Sequence, residues 1–496
     1  MSSTLPLLVL GASLVPALLV LALGLVRAPR HAAHVVLVLG AVTKLALVGV
    51  MAGEVTAGRV HAWRAEFVAG LDVVLRTDPA ALLLTTLAAA LALATGIYVV
   101  GYPEEPERRG QLLGFLGLCV AATTGVALAG NLVTLLLFAE LITVATYPLV
   151  AHRGTADATA AGRSFLLYAL AGGSALLLGV VWLHALAGPV EFAPGGVLAL
   201  EGPPGQRTAL FALLVAGLAV KAALVPLHVW LPAAHASAPA PASALLSGLA
   251  VKAGAFGIVR VVHDLYGVEH ATELGVLGPL ALLAAVTIVY GALRALSEES
   301  LKRRLAYSTV SQLSYTVLGA AVAGPLAVTG GLAHLVHQGL MKATMFYCAG
   351  GFATVLGAHD VAELRGVGRR MPVTTAAFTV ASLGMIGVPP LAGFASKWLL
   401  GLGGLEAGAG TLVLPVLVGS SLLSAAYFLP ILYRAWFTPG DTPPSQTTSR
   451  PRPEAHLGLV AAPVLTGVLT VVVGLFAAAA WSPAGLAALV TEGLAP

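Results

Sequence analysis

The sequence predicts an all-α, polytopic membrane protein with about fourteen transmembrane helices. Hydrophobic residues make up 58% of the 496-residue chain, and charged residues make up only 10%. A soluble domain cannot cover so much apolar surface, because its exterior must stay largely polar. Apolar stretches long enough to cross a bilayer about 30 Å thick recur along the chain, and short polar links separate them.

Fourteen apolar stretches account for most of the chain. They are predicted near residues 4–26, 33–53, 79–101, 111–129, 131–150, 163–187, 207–225, 242–263, 275–293, 305–323, 329–357, 373–402, 409–433 and 457–481. The first stretch lacks a cleavage signal after a short apolar core, so we expect it to be a retained helix. We expect one transmembrane domain over residues 1–496, in which helices within 1–101 and 457–481 flank the rest.

Basic residues in the links give the predicted orientation. Links that follow odd-numbered spans contain 16 lysines and arginines. Links that follow even-numbered spans contain 5, namely Arg59, Arg64, Arg76, Arg207 and Arg260. The positive-inside rule then places the odd links in the cytoplasm and both termini outside it. We therefore expect a multi-pass protein of the plasma (inner) membrane.

The five remaining basic residues are all lysines within predicted spans: Lys44, Lys221, Lys252, Lys342 and Lys397. A buried lysine can lose its proton, whereas an arginine effectively cannot. A membrane interior that contains lysine but no arginine is therefore suited to proton exchange. Lys44 has no polar partner in its own span, so we expect a peripheral position or an ammonium that reaches the interface.

Prolines interrupt two of the spans. The seventh contains Pro226 and Pro232, and the twelfth contains Pro389 and Pro390. Proline removes a backbone donor, and lipid offers no replacement, so such breaks must face protein or water. The five-span separation predicts two five-helix repeats, spans 4–8 at about 111–263 and spans 9–13 at about 275–433. An odd helix number makes the second repeat inverted, as in many transporters. Kinks without function are the alternative.

Charged residues deep in the spans are the candidate proton carriers. Glu140 lies near the middle of span five, where a carboxylate is costly unless it is paired or hydrated. Lys221, beside the first break, is its natural partner, and we expect carbonyls freed by that break to stabilise the ammonium. Lys252 lies in the middle of span eight, and Lys397 follows the second break. A structural ion pair and snorkelling lysines are the alternatives. The polar residues between 308 and 315 either hydrate a path or pack helices.

Histidines add groups that titrate near neutral pH. His334, His337 and Lys342 lie within nine residues of span eleven, with His334 and Lys342 on one side of the helix. This spacing favours a proton relay over a hydrogen-bonded core. His228 and His235, beside the first break, are candidates for access from solvent.

At these positions the chain resembles the antiporter-like subunits of respiratory complex I and of Mrp-type sodium/proton antiporters. The matching segments are FAEL, VKAALVPLHVWLPAAHASAPAPASALL, VKAG, the span-eleven histidine and lysine, and GVPPLAGFASKW. The resemblance implies that Glu140 and Lys221 form a pair that gates proton access. It also implies that Lys252 and the span-eleven histidines are central carriers. Lys397 is then the terminal residue, which communicates with the opposite side or a neighbouring subunit.

The resemblance implies a transporter subunit and not an enzyme. Lysine at position 397 fits the Mrp D-type or complex I N-type subunits better than the M-type, and the short C-terminal end disfavours the L-type and Mrp A-type. The expected function is proton movement in a multisubunit sodium/proton antiporter, with other integral membrane subunits, lipid, protons and sodium as partners. Complex I, a membrane-bound hydrogenase and a bicarbonate or CO2 uptake complex are the alternatives. Cofactor, metal and nucleic-acid motifs are absent from the sequence, so none of these ligands is expected.

Overall fold

The computed structural model describes residues 3–26, 30–68, 70–198, 203–439, 454 and 456–492. Within these residues the chain is almost entirely helical, which confirms the predicted fold class. The exception is a β-hairpin of β1 (His61–Val68) and β2 (Leu71–Thr77), which lies in a segment expected to be a polar link. Apolar and polar residues alternate over 63–67 of β1, as is typical of an antiparallel strand, whereas β2 contains the apolar run Val73–Leu75.

Each of the fourteen predicted spans coincides with helix. The first nine spans are α1 (Leu5–Leu25), α2 (Arg30–Thr56), α3 (Pro79–Gly101), α4 (Pro106–Ala127), α5 (Leu132–Val150), α6 (Ala156–Ala187), α7 (Pro204–Lys221) with α8 (Trp230–Ser237), α9 (Ala240–Leu245) with α10 (Lys252–Val259), and α12 (Leu277–Ser297). π-Helical turns make α9 and α10 part of one continuous span, Ala240–Tyr266, and the short α11 (Val268–Glu273) follows it.

The last five spans and two further short helices complete the described part of the chain. They are α13 (Leu301–Val322), α14 (Pro325–Leu356), α15 (Val367–Arg370), α16 (Pro372–Ile386), α17 (Ala392–Glu406), α18 (Gly410–Phe437), α19 (Leu457–Leu475) and α20 (Pro483–Glu492). Ten helices in the described part of the chain are long and apolar enough to cross a membrane by themselves. Four predicted spans do not contain a helix that is both long and apolar enough: the seventh, tenth, eleventh and twelfth. These are the two broken spans and the spans that hold the polar stretch and the histidines.

The structure confirms both interruptions. Between α7 and α8, the Trp230 indole donates to the Val220 carbonyl oxygen at 3.0 Å, which replaces a lost helical hydrogen bond. Pro226 lies in this break, and Pro389 and Pro390 lie between α16 and α17. Pro232 was expected in a break but lies in the first turn of α8, where a missing N–H costs nothing.

In each half of the chain, one helix of the broken span makes a close backbone contact with the long helix of the span before it. A Cβ atom on Gly217 of α7 would lie 2.7 Å from the Gly172 carbonyl oxygen of α6. A Cβ on Gly403 of α17 would lie 2.1 Å from the Ala327 nitrogen of α14. In both units a glycine therefore lets the broken helix approach the preceding long helix. The repeat boundaries themselves stay a prediction.

Candidate functional site

The first part of the candidate site is an ion pair between α5 and α7. Lys221 Nζ lies 3.1 Å from Glu140 Oε1. The same ammonium donates to the Ala139 carbonyl oxygen at 3.0 Å and to Thr143 Oγ1 at 2.9 Å. The expected partners of Lys221 were carbonyls freed by its own break. The structure instead supplies a carbonyl from α5, because Lys221 ends α7 and points across to that helix.

Glu140 lies at the edge of the chain and Lys221 in its interior. The Lys221 side chain is 7% exposed, whereas the Glu140 side chain is 34% exposed. Gly173 of α6 packs directly behind the carboxylate, because a Cβ atom there would lie 2.4 Å from Glu140 Oε1. The carboxylate is thus held between a lysine and a glycine, with one side directed out of the chain.

A small cavity lies beside Lys221. Its volume is about 20 Å³, and its walls include Lys221, Thr143, Thr146, Ala250 and Val251. The Thr146 hydroxyl is buried, and no hydrogen-bond partner for it lies among the described residues. A volume of this size holds about one water molecule. Because Val251 precedes Lys252, such a water would lie between the two lysine-bearing helices.

Lys252 is fully buried at the start of α10. Its ammonium donates to the Ser247 carbonyl oxygen and to Gln338 Oε1. Gln338 lies one turn before Lys342 on α14, and Ser247 Oγ pairs with Thr309 Oγ1 of α13 at 2.7 Å. Lys252 therefore joins the first half of the chain to α13 and α14 of the second half.

A hydrogen-bonded chain of side chains begins at Lys342. The Lys342 ammonium donates to Ser308 Oγ at 2.6 Å. The Tyr427 hydroxyl of α18 donates to the same Ser308 Oγ at 2.9 Å and lies 3.1 Å from Ser424 Oγ. Three helices, α13, α14 and α18, thus contribute to one buried network.

The network continues to the second break. Gln312 Nε2 donates to Ser424 Oγ at 3.4 Å, and Gln312 Oε1 lies 3.2 Å from His334 Nε2. His334 Nδ1 lies 2.8 Å from Ser396 Oγ, the residue before Lys397. A continuous chain therefore connects Lys342 with Ser396. The expected path reached His334 before Lys342; the network has the opposite order, because Lys342 contacts Ser308 and His334 contacts Gln312 one turn further along α13.

Lys397 follows Ser396, the residue at which the network ends. Its ammonium donates to the carbonyl oxygens of Met385 at 2.9 Å and Ile386 at 3.0 Å, and to Ser421 Oγ at 3.0 Å. Met385 and Ile386 are the last residues of α16, and the break removes their normal helical partners. The break thus stabilises the lysine that follows it, and the lysine does not extend to an interface.

The other histidines lie beside the network. His337 is fully buried, and neither of its ring nitrogens forms a hydrogen bond with a side chain in the described part of the molecule. His235 is also fully buried and stacks on Phe346 with ring centroids 4.6 Å apart, and neither ring nitrogen has a partner in the described part of the chain. His228 packs edge-on against Tyr290 with ring centroids 4.9 Å apart. The structure brings His334 into the network and leaves the other three outside it.

Two connected cavities open on the side of the basic links. The outer cavity has a volume of about 750 Å³, and the inner one has about 270 Å³. They share the walls formed by Tyr102, Pro103 and Arg153. The inner wall also includes Ala236, which follows His235. The cavities therefore lead from that face toward the buried histidine.

The structure corrects the expected position of Arg260. This arginine was assigned to a link, but it is buried within the span Ala240–Tyr266. Its guanidinium pairs with Asp78 at 2.7 Å and with Asp264 at 2.6 Å, and both carboxylates are buried. Glu140 is thus not the only carboxylate inside the helical bundle. Two carboxylates stabilise the buried guanidinium, and one of them is distant in sequence.

Lys44 also differs from expectation. It is fully buried and donates to Thr124 Oγ1 of α4 at 2.5 Å. The expected reach of its ammonium to an interface is therefore wrong. The hydroxyl partner belongs to a neighbouring helix, which inspection of the second span alone does not reveal.

Sequence inspection missed several members of the network. Ser308 and Gln312 belong to the polar stretch of span ten, for which the sequence leaves a hydrating and a packing role open, and no sequence prediction covers Ser424 and Tyr427. Ser420, Ser424 and Tyr427 recur at helical spacing on one side of α18. A polar stripe of this kind in an otherwise apolar span is the signal that indicates them.

Comparison with known proteins places this arrangement in a wider context. A family model described as NADH:quinone oxidoreductase/Mrp antiporter, TM matches residues 129–424. The N subunit of the NADH-quinone oxidoreductase of Desulforudis audaxviator is 36% identical over 421 residues, which are 82% of each chain. The D subunit of the Na(+)/H(+) antiporter of Bacillus subtilis is 26% identical over 395 residues, which are 78% of each chain.

A solved structure has the same fold over nearly the whole chain. A chain of the Mrp complex from Dietzia sp. superposes with a TM-score of 0.86 at 24% identity and covers 99% of both chains. The family match covers the described site from Glu140 to Ser424 and ends before Tyr427.

Proposed function

The chain belongs to the NADH:quinone oxidoreductase/Mrp antiporter transmembrane family, and we propose that it carries protons within a multisubunit sodium/proton antiporter. The observation that carries the proposal is the buried hydrogen-bonded chain from Lys342 to Ser396. Buried polar groups in a membrane are costly, and a row of them in contact is typical of an ion path. A scaffold of packed helices has no need of such a row.

Proton transfer begins at the Glu140–Lys221 pair. At 3.1 Å the carboxylate stabilises the protonated lysine. When the two groups separate, the ammonium loses that stabilisation and its proton becomes available to the neighbouring cavity. One water in this cavity is sufficient to pass the proton toward Lys252.

The path continues through two lysines that are close in space. Lys252 contacts Gln338, which lies one turn from Lys342, and the charge of each lysine disfavours a second charge on the other. A proton that arrives at Lys252 thus promotes release from Lys342. From there the hydroxyl groups of Ser308, Tyr427 and Ser424 lead through Gln312 to His334. Ser396 and Lys397 form the last step.

Protons reach the path from the face with the basic links, which the charge distribution predicts to be cytoplasmic. The inner cavity reaches Ala236, the residue after His235, and the charges of Lys302, Lys342 and Lys252 all act on this histidine. His235 is therefore placed between the cavity and the two central lysines. His228 and His337 lie beside this route and have no direct contact that assigns them a step.

The partners of the chain follow from what it leaves exposed. We place the protein in the plasma membrane with both termini outside the cytoplasm. Glu140 is 34% exposed in the middle of a predicted span, and lipid is an unfavourable environment for a carboxylate. Another integral membrane subunit that covers this side of α5 removes the cost.

A redox-driven complex is the second candidate. The favouring observation is the 36% identity to the N subunit of an NADH-quinone oxidoreductase, against 26% to the D subunit of an antiporter. The proton path is the same in both cases, and the energy source differs. Mass spectrometry of the intact purified complex separates them. Iron–sulfur proteins in the complex support redox coupling, and a set of small membrane subunits alone supports the antiporter.

The proton path is tested by removing either member of the ion pair. We expect Glu140→Ala and Lys221→Ala to abolish sodium/proton exchange in everted vesicles while the complex still assembles. Val144→Ala is the matched control, because Val144 is 58% exposed and lies one turn further along α5. Exchange at the wild-type rate in an assembled Glu140 or Lys221 variant contradicts the proposal.

A further inference from the structure

We propose that the two connected cavities on the basic face form a port that admits protons and excludes metal cations. The inference rests on the proposed proton path and specifies its selectivity. Sodium would then cross the membrane outside this path. The argument depends on the charges of the cavity walls and on how one lysine is held.

The inner cavity is lined by basic side chains and by no acidic side chain among the described residues. Arg153, Lys302 and His359 line it, together with Tyr102, Ser300 and small residues. Among the described residues of its wall there is no aspartate or glutamate. A metal cation in the inner cavity therefore meets fixed positive charge and finds no carboxylate ligand.

The carboxylates at the outer cavity are already paired. Glu104 Oε2 lies 3.2 Å from His152 Nε2, and Glu105 Oε2 lies 3.4 Å from Arg108 Nε. Partial burial by itself would raise the pKa of Glu104, but the interactions with His152 and Arg108 outweigh it and hold the pKa below its usual value. Each of these carboxylates thus has a basic side chain within 3.4 Å, and neither lines the inner cavity.

Lys302 is fixed at the inner wall. Its ammonium donates at 2.7 Å to the carbonyl oxygen of Ala238, the residue that follows α8. A positive charge about 8 Å from a monovalent cation depletes that cation about sixfold at an effective dielectric constant of about 40, and two such charges deplete it about thirtyfold. Arg153 supplies one permanent charge. Burial and the charge of Arg153 lower the pKa of Lys302 to about 7, so Lys302 supplies the second charge when it is protonated.

The positive charge of the walls does not exclude protons, because a proton can pass from one titratable group to the next and does not have to enter the cavity as a free cation. A lysine can release its proton and regain another from water, whereas an arginine effectively cannot. Lys302 binds the carbonyl three residues after His235, whose ring nitrogens have no partner in the described part of the chain. A metal ion has no equivalent exchange and must enter the cavity as an ion. The port therefore favours protons over metal cations for two reasons: its walls repel cations, and only a proton can be passed on by exchange between groups.

The test measures how charged reagents reach the inner cavity. A cysteine is introduced as Ala353→Cys, at a residue of the inner wall, in the full complex held in lipid nanodiscs. Its modification rates by the anionic sulfonatoethyl and the cationic trimethylammonioethyl methanethiosulfonate are compared with those of Ser297→Cys, an exposed position. The native Cys119 and Cys348 are buried, and the parent complex measures their background.

We expect the anionic-to-cationic rate ratio at position 353 to exceed that at position 297 by at least tenfold. Lys302→Glu should remove this preference. Arg303→Glu is the matched control, because Arg303 is adjacent in sequence, has a side chain that is 47% exposed and does not line the cavity. The control should change the ratio by less than twofold.

Two results overturn the inference. Equal ratios at positions 353 and 297 show that the cavity does not discriminate by charge. A site that neither reagent modifies shows that the cavity is closed or filled, for example by an anionic lipid headgroup bound to the same basic residues. The readout does not require transport. Failure of the Glu140 and Lys221 variants to stop exchange is therefore a separate result that concerns the path alone.

Discussion

Replacing Gly173 by alanine perturbs the Glu140–Lys221 pair without changing any charge. The new Cβ would lie 2.4 Å from Glu140 Oε1 and 3.0 Å from Oε2, whereas an ordinary contact requires about 3.4 Å. The carboxylate must therefore move by about 1 Å. Lys221 Nζ already lies 3.1 Å from Oε1 and blocks a shift toward α7, so we expect the carboxylate to turn toward its exposed side, which lengthens the distance between Nζ and Oε1 by up to about 1 Å, to about 4.1 Å.

The size of the effect follows from Coulomb's law. At an effective dielectric constant of about 20, the lengthening weakens the attraction by about 1.3 kcal/mol. Glu140 is partly exposed, so screening reduces this to about 0.5–1 kcal/mol. We therefore expect proton exchange in everted vesicles to change by about two- to fivefold, far less than the loss expected for Glu140→Ala. Gly49→Ala is the control, because a Cβ at this helical glycine meets open space. Wild-type exchange in the assembled Gly173→Ala complex would refute the importance of the pair's geometry.

Two further predictions concern the second half of the path. Tyr427→Phe removes the hydroxyl that contacts Ser308 and Ser424, so we expect at least a tenfold loss of exchange with normal assembly; Tyr433→Phe, at a 62% exposed residue of α18, should leave exchange unchanged. Lys397→Arg keeps a positive charge near the carbonyls of α16 but cannot release a proton. We expect an assembled, inactive complex, and exchange at the wild-type rate would show that only the charge matters.

The sequence was sufficient to predict the features that depend on local chemistry. Proline lacks a backbone donor, so the two breaks were located from Pro226, Pro389 and Pro390. A carboxylate in span five and a lysine in span seven require compensation, and Glu140 and Lys221 do form a pair. These inferences succeed because the cost of an unpaired charge in a membrane leaves few alternatives.

Features that depend on which helices meet were not predictable in the same way. Asp78, the partner of Arg260, is 182 residues away, and the arginine therefore appeared to belong to a link. Ser308 and Tyr427 are 119 residues apart on different helices, and their hydrogen bond follows from packing. The β-hairpin was missed for a different reason, because the alternating residues of β1 were interpreted as a polar link.

Gln312 gives the network a property that its hydroxyl neighbours do not have. A hydroxyl both accepts and donates through one oxygen, so it can pass a proton along, whereas an amide has a fixed donor end and a fixed acceptor end. In this structure the acceptor end faces His334 and the donor end faces Ser424. A neutral imidazole with its proton on Nδ1 would favour the reverse orientation, because its Nε2 then accepts. The orientation of the amide therefore couples the tautomer of His334 to Tyr427, and a proton that moves from Ser424 to His334 on the proposed path needs a water molecule beside Gln312, because the amide itself can only turn.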